Sequence, residues 1–214
     1  SDFSGELSEE IVSLEKNIYD ISGEEFNLAS PKQMGEILFE KMKIIEKVKK
    51  TKTGQYSTSE ETLSKLKGKH PIIDHILEYR GLQKLLSTYV KALPLLIDKN
   101  TGKIHTTFNQ SVAATGRLSS VSPNLQNIPI RTEKGRKMRK AFIPKNSDFE
   151  ILAADYSQIE LRIMASLSAD TSMLSAFNNG IDIHSATAAK VYKVEEKDVT
   201  REMRSHAKMV NFGI

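Results

Sequence analysis

The sequence predicts an α+β fold, and three observations lead to that prediction. Apolar residues recur at helical spacing through residues 1–100. From about residue 101 to 155 the pattern changes to short apolar segments separated by turn residues, which is typical of short strands. After residue 167, helix-capping signals and helical spacing return.

The first 100 residues carry several helix signals. Ser30 before Pro31 gives an N-cap followed by proline in the first turn, and residues 57–61 give a second capping signal for a short helix that stops near Gly68. Pro71 begins a helix that ends around Pro94, which would be ~35 Å long at ~1.5 Å per residue. A further helix is predicted near the start by four apolar residues: Leu7, Ile11, Leu14 and Ile18.

The middle of the chain is predicted to form part of an antiparallel sheet. Lys103 to Phe108 reads as one strand, and residues 141–143 with 149–154 read as a hairpin closed by the turn residues between them.

The segment from Ile151 to Leu167 is the most informative of the sequence. It reads as a short strand that brings Asp155 to its end, followed at once by a helix with Ser157 as N-cap and Glu160 as the capping-box partner. Nearly every later position up to Leu167 is apolar, so the helix is predicted to be buried almost all round. Taken alone, Asp155 could simply end a strand and Glu160 simply cap a helix.

The last helix is predicted to start at Asp198 or Thr200, and another helix is predicted after Asp182. At ~100° per residue, one stripe of the last helix can pack inward while another, ~120° away, faces an open cleft. The open stripe would carry Arg204, Lys208 and Phe212, although an amphipathic helix with a basic solvent face gives the same spacing. The inward stripe would carry Met203, Ala207, Val210 and Ile214.

Composition narrows the function classes. The chain has 214 residues, a net charge of +4 and no cysteine, which excludes disulfides and thiolate metal sites. Its basic pI of about 9.1 is compatible with a polyanionic partner. No apolar run approaches the ~20 residues that span a membrane, and no signal peptide is visible, so an intracellular, cytoplasmic protein with no membrane partner is expected.

Four segments resemble motifs of family A DNA polymerases, the bacterial DNA polymerase I class, and they occur in the family's order. They are Thr115 to Ser120, Pro123 to Pro129, Asp155 to Arg162 and Arg204 to Gly213. The resemblance implies a truncated right-hand polymerase fold: a helical thumb with a long antiparallel helix pair at 1–100, a partial antiparallel palm sheet at 101–167, and the first fingers helices at 168–214. It also implies a role in DNA replication and repair, in the cytoplasm near the bacterial nucleoid.

The resemblance implies nucleotidyl transfer to a primer 3′-hydroxyl with two Mg²⁺ ions in the complete enzyme. Asp155 and the backbone carbonyl of Tyr156 are the implied metal ligands, and Asp155 and Lys208 the implied catalytic residues. The family's second palm aspartate has no counterpart in this sequence. The 214-residue chain is therefore expected not to extend primers by itself.

The family match also assigns residues to the two substrates. Residues implied to bind the incoming deoxynucleoside triphosphate are Gln158, Glu160, His184, Arg204, Lys208 and Phe212. Residues implied to contact primer-template DNA are Lys49, Lys50, Lys52, Lys84, Arg117, Asn124, Gln126, Asn127 and Arg131. The lysines of the 47–54 loop could equally form a solvated basic loop, and the asparagines could simply form turns.

Two other readings stay open. A module that grips primer-template DNA without chemistry would carry the same basic residues. A single-subunit RNA polymerase shares an Arg…Lys pattern in the last helix, but Glu160 at the sugar-selecting position weighs against it. The complete enzyme is expected to be monomeric, while an unfinished palm sheet could self-associate through its edge.

Overall fold

The structure is a computed structural model that describes residues 2–46, 48, 50–51, 54–130 and 132–212, the side chains of Asp2 and Phe212 excepted. The chain folds as two compact units, residues 1–146 and residues 147–214. Within the described residues both units are mainly helical, and the first also contains a small antiparallel sheet. The predicted α+β class is therefore confirmed.

The first unit contains five α-helices and two strands among the described residues. The helices are α1 (Asp2–Ser22), α2 (Pro31–Gly35), α3 (Glu60–Ser64), α4 (Pro71–Lys84) and α5 (Glu133–Arg139). Two helices continue in π-helical geometry, α2 through Glu36–Lys41 and α4 through Leu85–Lys91, and a 3₁₀ turn at Leu93–Leu96 follows the latter. The predicted long helix from Pro71 to about Pro94 is confirmed.

Local side-chain caps set the starts of the short helices. The Ser30 hydroxyl accepts a hydrogen bond from the Gln33 N–H, and the Ser59 hydroxyl accepts one from the Thr62 N–H. Each hydroxyl satisfies one of the backbone donors that a helix leaves unpaired in its first turn. Both capping signals predicted from the sequence are confirmed.

α1 and α4 form a long antiparallel helix pair, as the family resemblance implies for residues 1–100. Ile18, near the end of α1, packs with Ile72 and Ile76 near the start of α4. Leu7, near the start of α1, packs with Leu86 in the π-helical continuation of α4. This reversed order of contacts shows that the two helices run in opposite directions, and their apolar stripes form the core of the first unit.

The sheet of the first unit is smaller than predicted. β1 (Thr107–Asn109) pairs antiparallel with β2 (Ser119–Val121), with Phe108 opposite Ser120. The predicted strand from 103 to 108 is thus confirmed only at its end. The predicted hairpin of 141–143 with 149–154 is wrong, because neither segment is a strand. A strand needs a neighbouring strand to share backbone hydrogen bonds with, and the sheet of the described residues contains only β1 and β2.

The second unit consists of four α-helices among its described residues. They are α6 (Ile159–Ser168), α7 (Thr171–Asn178), α8 (Ile183–Tyr192) and α9 (Arg201–Phe212), with a 3₁₀ turn at Glu196–Asp198 before α9. Asp182 caps α8 as predicted, and the Thr200 hydroxyl accepts a hydrogen bond from the Met203 N–H at the start of α9. α8 packs against α9, and α6 packs against α7.

Two predictions about α6 are wrong. Its N-cap is Gln158 in the left-handed conformation, with φ of 54° and no side-chain cap, so Ser157 and Glu160 do not form a capping box. The helix is also not buried all round: Ala165 is buried, whereas Leu167 is 81% exposed. The described part of the second unit therefore leaves several apolar side chains of α6 uncovered.

Among the described residues, no helix is both long enough and apolar enough to cross a membrane. The two compact units divide the chain at residue 146, whereas the predicted thumb, palm and fingers divide it at residues 100 and 167. The two units are defined by compactness, whereas thumb, palm and fingers are defined by the family's architecture. The boundaries at residues 100 and 167 therefore stay a prediction.

Candidate functional site

Asp155 lies in an irregular segment that leads into α6. Residues 151–156 have no regular hydrogen-bonded structure, and the side chains of Asp155 and Tyr156 are exposed, Tyr156 by 80%. The carboxylate is therefore accessible to solvent and not buried in hydrocarbon. An accessible carboxylate can serve as a ligand for a hard cation such as Mg²⁺.

Arg162 fixes the turn between Asp155 and α6. Its Nε donates a hydrogen bond to the Ser157 carbonyl over 2.9 Å, and its guanidinium lies 4.5 Å from the centre of the Phe177 ring in α7. The same side chain thus closes the turn and ties it to the next helix. The left-handed Gln158 needs such support, because that conformation is strained for a residue with a Cβ.

The carboxylates needed for a complete metal centre do not come together here. Within the part of the chain that the structure describes, no three His, Asp or Glu side chains are arranged to hold a metal ion. Asp155 and the Tyr156 carbonyl have the oxygen chemistry that Mg²⁺ prefers. They fit as part of a metal site that needs further ligands.

A second polar cluster joins the start of α8 to the inner face of α9. Asp182 Oδ1 accepts hydrogen bonds from the backbone N–H groups of His184 (2.9 Å) and Ser185 (3.2 Å). Asp182 Oδ2 accepts one from Arg204 Nε at 2.8 Å and lies 2.7 Å from Arg204 Nη2. One carboxylate therefore caps α8 and binds a cation of α9 at the same time.

The His184 ring is buried beside this ion pair. Asn211 Nδ2 lies 3.0 Å from His184 Nδ1 and donates to Thr187 Oγ1 at 3.3 Å. Because an amide NH₂ group can only donate, Nδ1 accepts, which places the ring proton of neutral histidine on Nε2. Burial lowers the pKa of His184 below its usual value; Asp182 opposes this effect, while Arg204 and Lys208 add to it. The imidazole is therefore held in its neutral form.

Asp182 stays ionised in this cluster. Desolvation raises its pKa, but the hydrogen bonds from Arg204 and from the two backbone N–H groups, together with the Arg204 charge, outweigh desolvation and lower the pKa overall. The cluster of Asp182, Arg204 and Lys208, with neutral His184, thus has a net positive charge and suits an anion.

The predicted stripes of α9 are only partly right. Ala207 is buried as predicted and Lys208 is exposed as predicted, but Val210 is half exposed. Arg204, predicted on the open stripe, keeps 40% of its side-chain surface exposed and also binds Asp182 of the preceding helix, a contact that the stripe did not predict. α9 extends through Phe212, whose side chain lies outside the described residues.

Three of the predicted DNA contacts, Lys49, Lys52 and Arg131, lie outside the described residues. Lys50, Lys84 and Arg117 are exposed on the first unit, and Lys50 Nζ lies 4.8 Å from the centre of the Tyr56 ring. Their exposure is compatible with phosphate contacts, which position a duplex without reading its sequence.

The segment 123–127 is organised by hydrogen bonds with its own unit. The Gln126 side chain accepts from the Ser120 N–H and donates to the Leu118 carbonyl, so it braces β2. Asn124 Oδ1 accepts from the Gln126 N–H in an Asx turn, and the Tyr89 hydroxyl donates to the Asn127 carbonyl. These bonds give the segment a fixed backbone from which the exposed amides of Asn124 and Asn127 project.

Two lysines of α5 have partners on α1 that were not predicted from the sequence. Lys134 pairs with Glu10 and Lys137 pairs with Glu6, both on α1. Glutamates spaced four residues apart on α1 and lysines three apart on α5 are the signal that could have indicated this contact. At least these two lysines therefore serve to dock α5.

Comparison with known proteins identifies the family. The family model for DNA polymerase family A matches residues 1–214. DNA polymerase I of Geobacillus stearothermophilus is 54% identical over 209 residues, covering 98% of this chain and 24% of that protein. DNA polymerase I of Bacillus subtilis (strain 168) is also 54% identical over 209 residues, with the same coverage.

A solved structure agrees. It is described as the POL domain of Pol1 from M. smegmatis in complex with DNA primer-template and dNTP, and it is similar with a TM-score of 0.86 and 43% identity. The match covers 99% of this chain and 37% of that one. The chain spans about a quarter of the length of the curated relatives it matches. The chain belongs to DNA polymerase family A.

Proposed function

We propose that this chain is part of a DNA-directed DNA polymerase, which adds deoxynucleotides to a primer 3′-hydroxyl under the direction of a template strand. The observation that carries the proposal is the family match over residues 1–214, at 54% identity to DNA polymerases I. The proposed substrates are primer-template DNA and deoxynucleoside triphosphates, both present in the similar M. smegmatis complex.

In this proposal Asp155 holds divalent metal beside the reacting phosphate, together with the Tyr156 carbonyl. Magnesium, two ions in the complete enzyme, would neutralise the charge that develops on the attacking and leaving oxygens. The exposure of Asp155 just before α6 supports this role. Divalent-metal dependence is a property of the family, and the choice of Mg²⁺ follows from the oxygen-only ligands.

The incoming triphosphate would lie against α9. Lys208, which is exposed, would place a cation on the phosphates and assist catalysis, and Arg204 would supply a second. His184 is the least accessible of the three because it is buried between α8 and α9. Gln158 and Glu160, at the start of α6, would contact the sugar, and Phe212 would pack on the base and sugar.

The first unit would hold the duplex. The loop lysines Lys49, Lys50 and Lys52, with Lys84 and Arg131, would contact phosphates. Arg117, Asn124, Gln126 and Asn127 would face the minor groove, where every base pair presents similar acceptors. Because the Gln126 side chain already bonds to Ser120 and Leu118, we propose that it contacts the DNA less than Arg117, Asn124 and Asn127 do.

We further propose the family's anatomy for the chain: thumb at 1–100, part of the palm at 101–167 and the first fingers helices at 168–214. The complete enzyme would act as a cytoplasmic monomer at the nucleoid. The exposed apolar residues of the second unit, including Leu152, Leu167 and Met209, make self-association of the 214-residue chain a further expectation.

The test of the proposed activity is templated single-nucleotide incorporation by a complete polymerase that carries this segment. Asp155→Ala should abolish incorporation and leave duplex affinity nearly unchanged. Asp20→Ala, an equal change at an exposed position of α1, is the matched control and should leave both unchanged. Near-normal turnover in Asp155→Ala would remove this residue from the chemistry.

The alternative, a module that grips primer-template DNA without chemistry, applies to the 214-residue chain alone. The exposed Lys50, Lys84 and Arg117 favour it. Filter binding of labelled primer-template should weaken steeply as salt rises. Measurable primer extension by this chain alone would contradict the non-catalytic reading.

A further inference from the structure

Asp182, the N-cap of α8, binds both α8 and α9 through its carboxylate. Its two carboxylate oxygens have different partners. Oδ1 accepts hydrogen bonds from the His184 and Ser185 N–H groups of α8, and Oδ2 accepts one from Arg204 of α9. The side chain is about one-third exposed, so the ion pair is only partly screened by water.

We propose that Asp182 is a positioning residue for nucleotide addition, holding the Arg204 guanidinium in the orientation that a triphosphate requires. The proposal rests on the proposed function, because it concerns the same nucleotide site. Asp182 would touch neither substrate nor metal and would act through Arg204.

The hydrogen-bond geometry of the guanidinium supports this role. Asp182 binds the Nε and Nη2 groups, and the guanidinium carries further N–H donors on Nη1 that point elsewhere in the same plane. A carboxylate on one edge thereby fixes the plane in which the other donors lie. Arginine otherwise loses considerable rotamer freedom when it binds a phosphate, and a pre-formed ion pair removes part of that loss before the nucleotide arrives.

The negative charge of Asp182 allows the positioning role to be distinguished from a purely electrostatic effect on nucleotide binding. A carboxylate beside a triphosphate site repels the substrate, so if charge alone mattered its removal would tighten nucleotide binding. If positioning dominates, its removal leaves binding about equal, because weaker orientation offsets weaker repulsion. The chemical step then slows, since the phosphates are no longer held in line.

Asp182→Asn separates positioning from folding. Asparagine caps helices about as well as aspartate, so its Oδ1 can keep the bonds to His184 and Ser185. Its NH₂ group cannot accept from Arg204, so the ion pair with Arg204 is lost. Asp198→Asn is the matched control: the same substitution in the same unit, at an exposed aspartate with no bond to Arg204.

The first measurement uses the 214-residue chain and needs no activity. In ¹⁵N NMR spectra, the Arg204 Nε–H signal should be slow to exchange in the parent and in Asp198→Asn. In Asp182→Asn it should exchange as fast as an exposed arginine. An unchanged Arg204 signal in Asp182→Asn would overturn the assigned contact. Slow hydrogen exchange of the His184 and Ser185 N–H groups, retained in Asp182→Asn, checks that the cap survives.

The second measurement uses single-nucleotide incorporation by a complete polymerase carrying this segment. Asp182→Asn should lower kcat by about tenfold with KM for the nucleotide within about twofold of the parent, whereas Asp198→Asn should change neither. In an Arg204→Lys background, Asp182→Asn should lower kcat only slightly further, because Arg204, through which Asp182 acts, is already replaced.

Three outcomes would overturn the proposal: a lower KM with unchanged kcat, unchanged kinetics, or a full tenfold loss in the Arg204→Lys background. Asp155→Ala distinguishes this failure from a failure of the proposed function. If Asp155→Ala is inactive while Asp182→Asn is normal, only the positioning role is lost. If Asp155→Ala remains active, the proposed function itself is contradicted.

Discussion

The docking of α5 on α1 depends on one buried side chain and two ion pairs, and their sizes can be compared. Met138 of α5 is 7% exposed and packs with the apolar residues of α1 and α4. Met138→Ala removes three side-chain heavy atoms, which corresponds to ~2.4 kcal/mol of transfer free energy at ~0.8 kcal/mol each. With the cavity left behind, the expected cost is about 2–5 kcal/mol.

The ion pairs of α5 contribute less. Lys134 and Lys137 keep 34% and 50% of their side-chain surface exposed, and exposed pairs contribute ~0.2–1 kcal/mol each. Lys137 Nζ also lies 4.8 Å from the centre of the Phe3 ring, which adds ~0.5 kcal/mol. Replacing both lysines by methionine, which keeps the aliphatic stems, should therefore cost less than ~2.5 kcal/mol.

The assay is urea unfolding of the 214-residue chain followed by circular dichroism, with hydrogen exchange of residues 132–142 as a local probe. Met138→Ala should destabilise more than the Lys134→Met/Lys137→Met double variant, and only the latter effect should shrink at 1 M salt, where the screening length is ~3 Å. Lys140→Met, at the exposed end of α5, is the control. A larger loss from the double variant than from Met138→Ala would refute the reasoning.

Other positions give further predictions. Ser120→Ala should speed hydrogen exchange at Leu125, whose N–H donates to the buried Ser120 hydroxyl, and should cost about 1–3 kcal/mol locally. Because burial holds the pKa of His184 below its unfolded value of ~6.5, the stability of the second unit should fall as pH drops below ~6.5 towards the folded pKa. A His184→Gln variant should flatten that part of a pH–unfolding curve, and an unchanged slope would contradict it. Gly135→Ala would place a methyl carbon 2.7 Å from a proline side chain and 3.0 Å from its backbone, so it should lower the melting temperature. The control Gly5→Ala in α1, which meets nothing within 4 Å, should raise the melting temperature.

Several helix starts were predictable from the sequence because their causes are local, although that of α6 was not. Ser30, Ser59 and Asp182 each cap a helix by accepting a hydrogen bond from a backbone N–H two or three residues later. Both partners of such a bond lie within a few residues of each other in the sequence. The antiparallel pairing of α1 with α4 was implied by the family resemblance, and the apolar stripes of the two helices form its contact.

The strand predicted at 149–154 depended on information outside the segment. Its apolar residues suit a strand, but a strand forms only when a neighbour supplies hydrogen bonds. Within the described residues no strand pairs with this segment, and it has no regular secondary structure. The exposure of Leu167 on α6 has the same origin, since an apolar pattern does not specify what will cover it.

The polar contacts of α9 and α5 were the hardest to predict. Arg204 was assigned to an open stripe because its periodicity matches that of Lys208, yet it binds Asp182, which is 22 residues earlier. Lys134 likewise binds Glu10 across 124 positions of sequence. Periodicity locates a residue on a helix, but only the packing of two helices decides which charges meet.

Whether Asp155 holds a divalent ion beside the reacting nucleotide can be measured directly by metal-directed cleavage. A complete polymerase carrying this segment would be bound to primer-template and nucleotide, loaded with Fe²⁺ in place of Mg²⁺, and treated with ascorbate and peroxide. Hydroxyl radicals made at the metal should cut the chain at residues close to 155, and Asp155→Ala should remove those cuts. Cleavage that is absent near residue 155, or unchanged in Asp155→Ala, would contradict the assignment of this carboxylate to the metal.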